Sequence, residues 1–278
     1  MTAHMSLEFL LPFALALLAT GAIAGTLAGV LGVGGGIVIV PVLYLLFPLL
    51  GIAPEVRMHL AVGTSLATII PTSIMSARTH NKKGGLDWDL LKSLAPGIVI
   101  GVIAGSVFGG RARGSTLTLI FAVIALLVAT HMAFKREGWT LRDALPAGPR
   151  FRVPLGCFIG GFSVMMGIGG GTLSVPILSS FAVPIRRAVG TASAIGLIIG
   201  LPGTVGYIVS GLGDPHLPPF SLGYANLLGF ALIVPTTMLT APIGARIAHA
   251  IDPVLLRKAF AFFLFVTSCR MFWGVFGH

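Results

Sequence analysis

Residues 29–42 read GVLGVGGGIVIVPV and residues 164–177 read VMMGIGGGTLSVPI, with Gly167 standing 135 positions after Gly32. Consecutive glycines offer backbone amides rather than side chains, so the chemistry available to them is hydrogen bonding by N–H. Glycine permits positive φ at a tight turn and lets two backbones approach closely. Three in a row exceed what a small-residue helix contact needs, and each weakens a helix by up to ~1 kcal/mol. Both stretches therefore predict a break in an apolar helix. A helix restarting at Ile37, and its twin at Thr172, would aim N-terminal amides into the gap, and such ends attract anions. The candidate binding residues are Gly34, Gly35 and Gly36 in the first stretch and Gly169, Gly170, Gly171 and Thr172 in the second. Pro41 and Pro176, five residues after each last glycine, are expected to kink the restarted helices. The competing reading makes both stretches packing elements at a hairpin tip.

Hydroxyl groups form the second candidate set. AVGTS at 61–65 is echoed by AVGTAS at 188–193, which sets Thr64 and Ser65 beside one AVG and Thr191 and Ser193 beside the other. Hydroxyls in membrane helices commonly bond to their own backbone or to a neighbouring helix, which is the alternative to ligand contact. Enzyme chemistry finds no support. Neither glycine stretch is followed by the lysine of a phosphate loop, and neither has the spacing of a dinucleotide fingerprint. No metal site, nucleophile or triad is visible, and no cofactor is implied. Glu8, Glu55, Asp87, Asp89, Asp214 and Asp252 all lie near segment ends or in loops, so a proton relay through buried carboxylates is not supported. His59 and His131 sit near segment ends, where an interfacial histidine is the ordinary reading, and Arg78 and Arg270 are expected to snorkel.

The elements that must position these residues are membrane helices. The chain of 278 residues is 55% hydrophobic and 9% charged, far below the roughly 25% charged residues of a soluble domain. Uncharged runs cover 9–54, 58–77, 93–110, 114–134, 153–185, 188–213 and 215–245, and a bilayer-spanning helix needs about 20 apolar residues. The opening run lacks a basic n-region and continues unbroken into the glycine stretch, so it reads as a membrane segment rather than a signal peptide. Cys157 and Cys269 imply no disulfide framework. The net charge of +10 is spread between apolar segments, which argues against nucleic acid and for positive loops on the cytoplasmic side.

The glycine and AVGT elements recur, and LTLIFAVIALLVATHM (117–132) aligns with LRKAFAFFLFVTSCRM (256–271). The chain thus reads as two transmembrane repeats, 1–134 and 153–278, joined by a cytoplasmic linker at 135–152. If 153–185 enters and returns as a hairpin turning at Gly169–Gly171, the only basic residues left outside are Arg57, Arg111, Arg113 and Arg270. Fourteen of the eighteen Lys and Arg are then inside, against ten if the segment crosses once. The loops 79–87 and 211–221 fall on opposite sides, and both termini face outward. The fold expected is an all-α polytopic membrane protein of two inverted-topology repeats, each opening with a glycine-broken helical hairpin, as secondary transporters have. The first hairpin is long enough for two crossings and the second for part of one, giving eight to ten segments.

The paired G-x-G-G-G elements, each followed by proline, and the paired A-x-G-T elements resemble the sulfite exporter TauE/SafE family of bacterial membrane permeases, over essentially the whole chain. The resemblance implies a secondary transporter, an exporter of sulfite, an organosulfonate or a related sulfur-containing anion across the bacterial inner membrane. It marks Gly34–Gly36 and Gly169–Gly171 as the glycine elements and Thr64, Ser65 and Thr191 as the companion one. The second copy departs, with TAS in place of TS at Thr191–Ser193. The partners implied are a small anion, the lipid bilayer and a coupling ion, proton or sodium; self-association is left open. The competing classes are a non-transport scaffold or assembly protein and an anion channel.

Overall fold

The computed structural model describes residues 7–31, 35–134, 140–248 and 253–276. Among these residues ten α-helices follow one another: α1 Leu7–Leu31, α2 Gly36–Leu46, α3 Pro54–Lys82, α4 Trp88–Arg111, α5 Gly114–Phe134, α6 Pro149–Met166, α7 Gly170–Ser180, α8 Ile185–Gly211, α9 Leu227–Ala248 and α10 Pro253–Phe276. Six of them, α3, α4, α5, α8, α9 and α10, are long and apolar enough to cross a membrane. Large apolar side chains such as Ile103, Leu127, Val205, Leu239 and Phe262 face outward, where a hydrocarbon solvent suits them.

Two helices are short. α2 and α7 have 11 residues each, about 16 Å at 1.5 Å per residue, half of a ~30 Å bilayer core. The first hairpin is expected to be long enough for two crossings, but α2 is too short to span the core by itself: it stops where Pro48 opens a 3-10 turn at Phe47–Leu50, closed by Gly51 at φ 67°. The linker is also shorter than expected, because Pro149 starts α6 at the position where a missing N–H costs nothing. An addition to the all-helical expectation is a two-stranded antiparallel hairpin, β1 Ser221–Leu222 and β2 Ala225–Asn226, turning at Gly223 with φ 52°.

The long helices pair closely: α1 with α9, α4 with α6, α3 with α8 and α5 with α10. Glycine makes the second of these pairs possible. An ideal Cβ at Gly156 would lie 2.6 Å from Leu94 O, and Gly97 and Gly101 lie against the backbones of Val153 and Cys157. This is the small-residue seam by which membrane helices gain van der Waals contact without a hydrophobic driving force. On the α1–α9 side, Gly25 abuts Thr237 and Gly244 abuts Thr26.

The connections after α3 and α8 reach the opposite half. Gly85, beyond α3, lies against Gly190 and Arg186 near the start of α8. Tyr224, beyond α8, lies against Gly63 and stacks obliquely on His59 near the start of α3 (centroids 4.8 Å). His59 is buried near the start of α3, its ring nitrogens 2.9 Å from Ala112 O and 3.2 Å from Glu55 O. His131 is half-buried at the end of α5, while Arg78 and Arg270 are exposed.

Candidate functional site

The second break is built from the C-terminus of α6. Gly167 adopts φ 64° and its N–H donates to Val164 O, while Ile168 N–H donates to Ser163 O, closing the helix with left-handed glycine. Gly169 is extended (φ −71°, ψ 170°), and α7 begins at Gly170. The pattern places the turn at Gly169–Gly171 and the restart at Thr172; the structure moves the turn back to Gly167–Gly169 and puts Gly170 and Gly171 in the first turn of α7. Gly170 is needed there for packing, since a Cβ would lie 2.5 Å from Ala192 O. The first break ends at Gly35, which is helical (φ −70°, ψ −13°), and α2 starts at Gly36, one residue before the expected Ile37. Gly34 lies outside the described residues. Pro41 and Pro176 fall inside α2 and α7.

The two breaks meet. A Cβ on Gly36 would lie 2.6 Å from Gly167 O and 3.0 Å from both Ile168 Cα and Ser65 Oγ. Ser65 itself donates a 2.7 Å hydrogen bond to Gly167 O, tying the middle of α3 to the turn between α6 and α7. Gly170 rests in turn on Ala192 and Gly196 in the first half of α8. The start of α2 and the turn between α6 and α7 thus reach the interior of α3 and α8, where Gly35, Gly36 and Gly167–Thr172 are all buried. The first N–H groups of α2 and α7 have no partner within their own helix, and each helix presents its positive end here. No residue from Gly167 to Thr172 carries a charge.

The remaining candidates have defined positions. Thr64 Oγ1 accepts from Asn226 N (2.9 Å), and Asn226 caps α9 through Gly229 N. Thr191 Oγ1 accepts from Asp87 N (3.1 Å), and Asp87 caps α4 through Leu90 N. The equivalent threonines therefore each clamp a cap in the other half. Ser193 returns its hydroxyl to Gly190 O in its own helix (2.6 Å). Thr172 is buried in the first turn of α7. Sequence reasoning missed Gly167, Ser163 and Ser174. The two serines are fully buried on either side of the second break, and their hydroxyls find no hydrogen-bond partner among the described residues. The signal available was a hydroxyl inside the apolar run VMMGIGGGTLSV and its approach, FS. Among the described residues, no three His, Cys, Asp or Glu stand together as a metal site.

A family profile described as sulfite exporter TauE/SafE matches residues 17–271. The chain belongs to the sulfite exporter TauE/SafE family. A probable membrane transporter protein of Haemophilus influenzae is 38% identical over 262 residues, covering 94% of this chain and 98% of the relative. Similar proteins described in the same words occur in Methanocaldococcus jannaschii (27% identical, 92% and 94% covered) and, as YunE, in Bacillus subtilis (25% identical, 94% and 98% covered). No solved structure matches. This TauE/SafE protein is thus a multi-pass membrane transporter and not an enzyme.

Proposed function

We propose that this TauE/SafE protein is a secondary transporter that exports a small sulfur-containing anion, sulfite or an organosulfonate, across a bacterial inner membrane by alternating access. The observation that carries the reading is the meeting of two glycine-broken hairpins, one from each half, at Gly36 and Gly167. Two helix N-termini at such a junction favour an oxyanion without a buried countercharge. The fully buried, unpartnered hydroxyls of Ser163 and Ser174 add donors beside it. The substrate-binding set is Gly34–Gly36, Ser65, Gly169–Thr172 and these two serines, with Thr64, Thr191 and Ser193 as supports.

The halves 1–134 and 153–278 act as inverted repeats that rock against each other. Exchanging α1–α5 with α6–α10 converts the α1–α9 contact into the α6–α4 contact and leaves α3–α8 and α5–α10 unchanged, which supports the duplication. A coupling ion, proton or sodium, supplies the energy.

Flux into proteoliposomes tests this. Sulfite or a sulfonate such as sulfoacetate should move with saturable kinetics, and the same ligand at about 100 times its Kd should raise stability by about 2.7 kcal/mol. Gly169→Ala suits the extended backbone and would meet only the Ile69 side chain, at 3.7 Å. It should fold normally and lose flux about tenfold, because a methyl group enters the junction. No flux of any such anion rejects the transporter reading, and flux that never saturates makes the protein a channel. Normal flux in Gly169→Ala makes the glycines packing elements, as a scaffold would use them.

A further inference from the structure

The chain SLAPGIVIGVIAGSVFGGRARGST carries α4 out of the membrane and turns it into α5. Between the end of α4 and the start of α5 lies an open groove of about 810 Å³, lined by Ala104, Val107, Phe108, Arg111, Arg113 and Thr116. It lies apart from the glycine junction. Two of its properties belong together. At its mouth stand two guanidinium groups, Arg111 and Arg113, both exposed and neither in an ion pair among the described residues. Running away from them along α4 is an outward apolar track: Ile100, Ile103 and Val107 are 46–55% exposed, at the three- and four-residue spacing that keeps one helix face together, with the exposed Phe108 next to Val107.

We propose that this groove binds an anionic phospholipid, with its phosphate between Arg111 and Arg113 and an acyl chain on the Ile100–Ile103–Val107 track. Charge and shape both select the occupant. Guanidinium is the side chain that holds phosphate oxygens in a fixed, forked geometry. A soluble phosphate would satisfy the arginines yet leave the apolar track unused. A zwitterionic lipid would cover the track and offer its phosphate with a cation attached. Thr116, in the first turn of α5, lines the same groove and adds a neutral hydroxyl donor. The assignment also explains an oddity of charge placement: positive charge concentrates at the loops on the other side, and Arg111 and Arg113 are two of the four exceptions.

The test uses the full chain in nanodiscs with a local reporter. In a Phe108→Trp variant, brominated phosphatidylglycerol should quench the new tryptophan well beyond equal mole fractions of brominated phosphatidylcholine, after subtraction of the quenching seen in the parent protein. Adding Arg111→Gln and Arg113→Gln should lower the apparent preference for the anionic lipid about thirty-fold, from the usual surface contribution of each arginine to anionic-lipid attraction. Native mass spectrometry of the Arg111→Gln/Arg113→Gln protein, with Phe108 intact, should show the corresponding loss of phosphatidylglycerol adducts. Arg186→Gln/Arg187→Gln, at the start of α8, should keep them. Equal quenching by the two lipids overturns the proposal, as does retention of adducts without the two arginines. Displacement of the lipid by millimolar inorganic phosphate would overturn it too, by showing a site for the free anion.

Discussion

Neighbouring glycines in each triplet have opposite tolerances. An alanine methyl at Gly36 or Gly170 would press on backbone, at 2.6 Å from Gly167 O and 2.5 Å from Ala192 O, and backbone cannot step aside cheaply. Gly36→Ala and Gly170→Ala should each cost about 1–3 kcal/mol. At Gly35 the nearest atom is the Ala24 side chain at 3.3 Å, and at Gly169 it is Ile69 at 3.7 Å. Gly35→Ala and Gly169→Ala should therefore stay within about 0.5 kcal/mol of the parent. Thermal unfolding in detergent measures all four, and equal losses across the set would show that the packing at the junction differs from that described. The breaks themselves were legible, because three glycines cannot sit comfortably in an apolar helix. The division of labour was not legible. Gly170 is needed because α8 lies against it, a partner more than twenty residues further along the chain. The positive φ of Gly167 follows from where α6 ends, which the run VMMGIGGG leaves open.

Helices α3 and α8 each bring a threonine to the cap of a helix in the other half. The buried Asn226 N–H depends on Thr64 Oγ1 as its acceptor, so Thr64→Val should strand a donor and cost about 1–3 kcal/mol. Ser193→Ala removes only a bond within one helix turn and should change stability by less than about 0.5 kcal/mol. Denaturant unfolding of the two variants compares them directly. The connection that Thr64 holds also carries a pH-dependent tie. Asp214 accepts from His216 N–H and His216 Nδ1 and from the Tyr224 hydroxyl, each at 3.0 Å. The His216 N–H foremost holds its carboxyl below the ordinary range, while burial foremost and then Asp214 push the Tyr224 hydroxyl up to about 12. A depressed carboxylate pKa gives stability that is complete above about pH 4 and is lost as pH falls through the depressed value. The melting temperatures of the parent and of Asp214→Asn should therefore converge between pH 5 and the acid limit of the measurement; a constant gap would exclude this tie. Five of the six long helices could be read from their uncharged runs, and α10 from the alignment of 256–271 with 117–132. The Ser221–Asn226 hairpin could not, since it lies inside the uncharged run 215–245 and has no periodicity of its own. The shortness of α2 was signalled by Pro48, Gly51 and Pro54, punctuation that the hydrophobicity of the run outweighed.

At the scale of the molecule, the pairing of helices has a symmetry that constrains topology. A two-fold operation exchanging the halves must carry every contact into another contact, and the α1–α9/α4–α6 pairs do this while α3–α8 and α5–α10 map onto themselves. The connection after α3 packs at the start of α8, and the connection after α8 packs at the start of α3. Helices joined in that way run in opposite directions, with their following loops at opposite ends. If α1–α2 and α6–α7 each return to the side they enter, three crossings remain per half. Three is odd, so the second half is inverted and the termini share a side. The basic residues Lys82 and Lys83 then belong to the cytoplasmic face, and the loop 212–220, which has no Lys or Arg, to the outer one. A background with Cys157 and Cys269 replaced by alanine lets single cysteines report these faces, and Lys83 and Pro215 are both exposed. Pro215→Cys should react with a membrane-impermeant maleimide in intact cells, and Lys83→Cys only after permeabilisation. Labelling of both from the same side would mean an even number of crossings between them. The two halves would then be parallel rather than inverted, and alternating access by opposed repeats would have no structural basis.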